Sequence, residues 1–201
     1  MSATTSPVRP SARRRFLLAG AAGALLAACA PLTPREPAVA ARRAALPGFT
    51  LEGRLSATDG RQAASGRVEW EHAPERDRLL LLSPLGQVVA RLDSGPRGAS
   101  LTHADGSRID AASADALLPS VLGVDVPAAR LPLWVQGATD AATQVRVRDG
   151  AGRPLHVIDE GWRIDYLAYA DEHPDSPPTR LDISRGDARI RLIIDAWTTQ
   201  P

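Results

Sequence analysis

From Phe49 onward the apolar residues recur with a period of two. Phe49, Leu51 and Gly53 alternate with polar neighbours, and Val68 and Trp70 are set among Arg67, Glu69 and Glu71. The pattern returns in Val145-Arg146-Val147-Arg148, Trp162-Arg163-Ile164-Asp165-Tyr166, Leu181-Asp182-Ile183 and Ile190-Arg191-Leu192. In an extended chain successive side chains point to opposite faces, so each segment is predicted to be a strand with one dry and one wet face. Many short strands separated by Gly, Pro or Asp turns predict a mainly β domain, an antiparallel barrel or sandwich.

Two stretches break the period. Ser113 to Leu122 and Ala128 to Gln136 carry apolar residues at spacings nearer a helix, and prolines limit each to a few turns. Short helices embedded in a β chain often close one end of a barrel. His173 to Pro178, rich in proline, is expected to be a surface connection.

Before Phe49 the chain has a different character. Arg13-Arg14-Arg15 precedes an uncharged run from Phe16 to Ala28, thirteen residues, which suits an export signal and is too short to span a bilayer. Leu26-Ala27-Ala28-Cys29 follows and resembles the bacterial lipobox, which implies diacylglycerol on the Cys29 sulfur and cleavage just before it. Arg13 to Leu17 also resembles a twin-arginine signal, with ordinary secretion as the alternative. Cys29 is the only cysteine, so no disulfide within the chain is possible. Ala30 to Pro37 reads as a proline-rich tether, and Ala38 to Leu46 as a short helix that Pro47-Gly48 would stop. The expected divisions are residues 1–28 as signal peptide, 29–48 as lipidated tether with a short helix, and 49–201 as the folded domain.

With 201 residues and 44% apolar content, the chain has material for one ordinary domain. Its formal charge of +1 includes four arginines within residues 1–28, where there is no acid. The remainder keeps 20 of the 24 basic residues against 23 acidic ones, a net of −3. That balance argues against a nucleic-acid surface, which shows as a concentrated basic patch.

An enzyme should leave a constellation of reactive side chains, and none stands out. His72, His103, His156 and His173 are scattered without metal-ligand spacing. There is no nucleophile elbow, phosphate loop or dinucleotide fingerprint. Asp159 and Glu160 are adjacent, which on a strand sends them to opposite faces. Arg185-Gly186-Asp187 reads as a hairpin turn. No catalytic residue, metal or cofactor is expected.

The chain does have four tryptophans, Trp70, Trp134, Trp162 and Trp197, against two phenylalanines. Each suits ordinary core packing, and together they suit the wall of an apolar cavity. Leu85 lies between Pro84 and Gly86, in a predicted turn where water is the expected neighbour. Such a leucine either folds back on its own hairpin or projects from it.

The order of motifs resembles the LolB family of outer-membrane lipoprotein receptors. The matching stretches begin with Phe49-x-Leu51-x-Gly53-Arg54-Leu55, Trp70, and Asp77-Arg78-Leu79 running into Pro84-Leu85-Gly86. They continue with Asp105-Gly106, Gly123 to Pro127, Leu133-Trp134-Val135-x-Gly137 and Gly161 to Tyr166, and end with Pro178-x-x-Leu181-x-Ile183 and Arg189 to Trp197. Residues 138 to 160 match least well. The resemblance implies an incomplete antiparallel β-barrel with short helices forming a lid over a hydrophobic cavity. It implies that lipoproteins arrive from a LolA-like periplasmic carrier, that their acyl chains enter the cavity, and that they leave for the outer membrane without ATP. It also implies a monomer held on the periplasmic face of the outer membrane by lipid on Cys29. The Pro84-Leu85-Gly86 loop would enter the membrane, and Trp70, Trp134, Trp162 and Trp197 are candidate cavity residues. A structural lipoprotein that scaffolds an assembly is the alternative, and it would show a large apolar surface patch instead of a cavity.

Overall fold

The computed structural model describes residues 43–199. The signal peptide, Cys29 and the proline-rich tether therefore lie outside the described residues. Eleven antiparallel strands form one sheet: β1 (Phe49–Thr58), β2 (Ala63–Ala73), β3 (Arg76–Leu82), β4 (Val88–Gly95), β5 (Gly98–His103), β6 (Arg108–Ala111), β7 (Gln144–Arg148), β8 (Pro154–Asp159), β9 (Trp162–Tyr169), β10 (Pro178–Arg185) and β11 (Ala188–Thr199). Their order is β6-β5-β4-β3-β2-β1-β11-β10-β9-β8-β7, so hairpin neighbours pair throughout and β1 joins the first six strands to the last five. β6 and β7 end the order and do not pair with each other, which makes the barrel incomplete.

The predicted alternation is visible in burial. Phe49 and Leu51 in β1, Val68 and Trp70 in β2, Ile164 and Tyr166 in β9, and Ile190, Leu192 and Ile194 in β11 all point into one core. Curling the sheet around that core requires local bending, and bulges interrupt the β1–β11, β3–β4, β9–β10 and β7–β8 ladders. Gly53 sits at the β1–β11 bulge, where a Cβ would lie 2.3 Å from the Ile193 carbonyl oxygen. Only glycine permits that approach.

The two predicted helical stretches are each a 3₁₀ turn running into a short α-helix. Ala114–Ala116 leads into α1 (Leu118–Leu122), and Ala128–Arg130 leads into α2 (Leu131–Gln136). A proline near the start of each fits the first helical turn, where its missing N–H leaves no bond unmade. Gly123 and Gly137 end them in the left-handed conformation. Leu118, Val121 and Leu122 of α1, and Trp134 and Val135 of α2, complete the core beneath the sheet.

The structure departs from the sequence-based expectation at three points. Residues 43–46 are not helical. The Arg43 N–H donates to Thr139 Oγ1 at 3.1 Å, the Thr139 N–H to the Arg43 carbonyl, and the Leu46 N–H to Gln136 Oε1 at 2.7 Å. Tertiary partners at the end of α2 thus take the bonds a helix would have used; residues 38–42 of that predicted helix lie outside the described residues. In β7, Val147 is 49% exposed, because the strand is at the edge and bulged between Val145 and Val147. Glu160 is not on a strand: it has φ +48° in the two-residue turn joining β8 to β9, while Asp159 is buried at the end of β8.

Candidate functional site

A hollow of about 480 Å³ lies between the sheet and the helices. β2, β3 and β4 supply Trp70, Leu79 and Leu92, α1 supplies Leu118, and α2 supplies Leu131 and Pro132. The β2–β3 and β4–β5 turns, with Pro74 and Pro96, form part of its lining. Trp70 is set by its neighbours: its indole N–H donates to Asp77 Oδ1 at 2.8 Å, and Phe49 meets its ring edge-on at 5.1 Å. His72 Nδ1 lies 2.7 Å from the same Asp77 oxygen, so one carboxylate orients two rings. The result is a hollow with an apolar wall and a polar portion to which His72, Glu75, Arg76, Asp77 and Asp115 contribute. Such walls suit a flexible hydrocarbon chain with a polar end outside.

The second helix and the turn before it are tied to the end of β8 by one buried carboxylate. Asp159 Oδ2 accepts from Trp134 Nε1 at 2.6 Å and from Arg130 Nε at 2.8 Å and Nη2 at 2.5 Å. Arg130 also donates to Asp140 Oδ2 at 2.7 Å. The hydrogen bond from Arg130, with further donors from Thr143 and the Ala142 N–H, holds the Asp140 carboxyl well below the usual carboxylate range against the opposing effect of burial. Residues from three segments, the turn before α2, the loop after it and the end of β8, thus meet in one ionic cluster.

The four tryptophans divide between several jobs. Trp70 lines the hollow. Trp134 and Trp162 are fully buried against each other, ring centroids 5.9 Å apart, and line neither this hollow nor the second one described below. The Arg185 guanidinium covers the Trp162 ring at 4.5 Å. Trp197 lines the second hollow, of about 520 Å³, together with Leu46, Gln136 and Arg153.

The turn holding Pro84, Leu85 and Gly86 joins β3 to β4. The Ser83 N–H donates to the Gln87 carbonyl at 2.8 Å, and the Gly86 N–H to the Ser83 carbonyl at 2.9 Å. Gly86 has φ +80°, a conformation that favours glycine. Inside this bonded frame Leu85 is 87% exposed and does not fold back on its hairpin. Val88 and Val89 beside it are also exposed, and residues 79–90 contain no charge. The sequence pointed to Leu85, whereas Arg130, Asp140 and Asp159 carried no signal, since 29 residues separate Arg130 from Asp159.

Comparison with known proteins gives a consistent result. The family model described as "Outer membrane lipoprotein LolB" matches residues 47–197. An outer-membrane lipoprotein LolB from Azoarcus sp. (strain BH72) is 52% identical over 190 residues, covering 94% of this chain and 98% of that protein. One from Thiobacillus denitrificans is 37% identical, covering 94% of this chain and all of that protein. Among solved structures, the LolA superfamily protein NE2245 from Nitrosomonas europaea superposes with a TM-score of 0.47 at 11% identity, over 80% of this chain and 89% of that one.

Proposed function

The chain belongs to the LolB family of outer-membrane lipoproteins, and we propose that it accepts lipoproteins from a soluble LolA-like carrier, shelters an acyl chain beneath Trp70 and releases the cargo into the outer membrane. The receptor role follows from the family. The observation that supports this mechanism is the hollow itself: apolar side chains from three strands and both helices line much of a space of about 480 Å³ that opens to solvent.

The physical problem is solvent exposure. A palmitoyl-length chain of roughly 15 methylenes, at about 0.8 kcal/mol each, costs on the order of 12 kcal/mol to place in water. A handoff from one chamber to another, and then to a bilayer, avoids that state. It needs no bond made or broken and no nucleotide, provided each acceptor binds the chain better than the last donor. The role is therefore one of binding and release, without catalysis, and a single copy of the chain suffices for it.

The remaining parts have assigned roles in this reading. Lipid on Cys29 holds the domain, residues 49–201, at the membrane, since two or more acyl chains give stable anchoring. Leu85, flanked by Pro84 and Gly86, enters the bilayer surface. One leucine contributes about 1.5–3 kcal/mol on burial, enough to bias orientation and too little to anchor. Its 87% exposure supports that assignment. The Arg130–Asp159 cluster holds α2 against β8 and so keeps the lid over Trp70.

The test mixes this protein with LolA-like carrier loaded with labelled lipoprotein, in buffer without ATP. Label should move to this protein and then to added liposomes. Label that stays on the carrier would reject the reading and favour a structural scaffold, for which the exposed apolar residues give little support: away from the Leu85 turn they sit singly on different elements, as Leu46, Ile109, Val147 and Leu167.

A further inference from the structure

The second hollow is not an extension of the first. Its volume of about 520 Å³ falls within the roughly 300–1,000 Å³ of small-ligand sites. The two share no lining residue. Phe49, fully buried, touches Trp70 of one and Trp197 of the other, each at 5.1 Å between ring centroids, and separates them.

Its walls are chemically mixed. Leu46, Pro177 and Trp197 supply apolar surface, and Trp197 is fixed by donating its indole N–H to the Pro178 carbonyl at 2.8 Å. Arg43, Arg148 and Arg153 supply three guanidinium groups, against Asp175 as the one carboxylate in the lining. Arg153 is already neutralised by Asp149, with Nε 2.7 Å from Oδ2. The other two are bonded to carbonyls alone. Arg43 donates to the carbonyls of Pro174, Asp175 and Ser176, and Arg148 to that of Gly152 at 2.7 Å. Neither makes an ion pair with a carboxylate among the described residues. The Asp175 carboxylate is 88% exposed and is not within ion-pair distance of either arginine, although its charge acts on Arg43. Burial pushes the Arg43 guanidinium below its ordinary value, the sign of a cation partly stripped of water without a full counter-charge.

We propose that this hollow is a second lipid site, which takes one acyl chain whose head carries a phosphate or carboxylate. The chain lies along Leu46, Pro177 and Trp197, and the anion meets Arg148 and Arg43 at the rim. Arg148, bonded through Nη1 alone, keeps its Nε and Nη2 donors in fork geometry for an oxyanion, and Arg43 adds positive charge beside it. The site lies where residues 43–46 meet the end of the second helix and the loop after it. Two sources offer this chemistry, a free fatty acid and a phospholipid of the membrane itself.

The proposal is tested on the full chain carrying Cys29→Ala, so that no lipid of its own competes. 12-Bromododecanoic acid quenches tryptophan on contact; in a Trp70→Phe background, which removes the indole lining the first hollow, its quenching should be lost in Trp197→Phe. Arg148→Glu should weaken its binding about tenfold, the scale of one charge-assisted hydrogen bond, with Arg148→Gln in between. The uncharged methyl ester should not distinguish these variants. Vesicles containing brominated phosphatidylglycerol form the second arm: quenching by the acid alone assigns the site to fatty acid, and quenching by both assigns it to phospholipid. Quenching by neither, or an Arg148→Glu affinity within twofold of the parent with a normal melting temperature, overturns the proposal. Because no carrier is present, its failure would leave lipoprotein transfer beneath Trp70 untouched.

Discussion

Trp134 donates its indole N–H to Asp159 at 2.6 Å, across 25 residues of sequence, and that bond ties the second helix to the sheet. Asp159 is wholly buried and also receives Arg130, so its removal leaves the indole N–H without its acceptor and leaves Arg130 with Asp140 as its one close carboxylate partner. Breaking one side of a buried ion pair costs about 3–5 kcal/mol. Asp159→Ala should lower unfolding stability by that amount in urea titrations and speed amide exchange in residues 131–136. An unchanged midpoint would mean that the cluster does not hold the lid.

Acid should loosen the same cluster. Asp140 is held below its ordinary pKa chiefly by its hydrogen bond from Arg130. A carboxylate depressed by folding stabilises the protein above its unfolded value of about 3.9 and loses that contribution as pH falls toward the folded value. The melting temperature should therefore fall as pH drops below about 4, and Asp140→Asn should flatten that part of the curve while lowering stability at neutral pH. An Asp140→Asn profile parallel to the parent's would remove Asp140 from the acid response.

Leu85→Glu tests the exposed turn. Because Leu85 is 87% exposed and the turn is closed by backbone bonds, stability should change by no more than about 0.5 kcal/mol. Uptake from the carrier should persist, and release to liposomes should stop. Normal release by this variant would take Leu85 out of the mechanism.

Tether length sets which end of the barrel can reach the membrane. Phe49 pairs with His72, and His72 with Asp77, at one end of the strands, whereas Leu85 lies past Leu82 at the other. Those ends are roughly 25 Å apart at about 3.3 Å per residue. Fourteen residues lead from Cys29 to Arg43, which is pinned to Thr139, and stretch to about 50 Å. Removing eight of them should leave membrane attachment and cargo uptake intact but slow release, measured as label reaching liposomes. Undiminished release would show that Leu85 can meet the bilayer without that reach.

The strands were legible because their cause is local. Alternation between residues two apart marks a half-wet sheet wherever it occurs, and β1, β2, β9, β10 and β11 follow it. The prolines and glycines that delimit α1 and α2 are local signals too, as is the hairpin closed by Gly186 and Asp187. Sequence alone also placed Leu85 in a turn between Pro84 and Gly86, but not whether its side chain turns inward.

What lay beyond the sequence depended on partners far along the chain. The backbone of residues 43–46 is not helical because Thr139 and Gln136 take its hydrogen bonds. Four tryptophans of one composition became the wall of one hollow, a buried tilted pair and the wall of another, according to which element each met. Only folding could bring Arg130, Asp140 and Asp159 into one cluster or leave Arg43 and Arg148 facing a hollow without an ion-pair partner among the described residues. Periodicity specifies which face of a strand is dry, because that depends on its own side chains; the neighbour across the dry space is chosen by chain closure and packing.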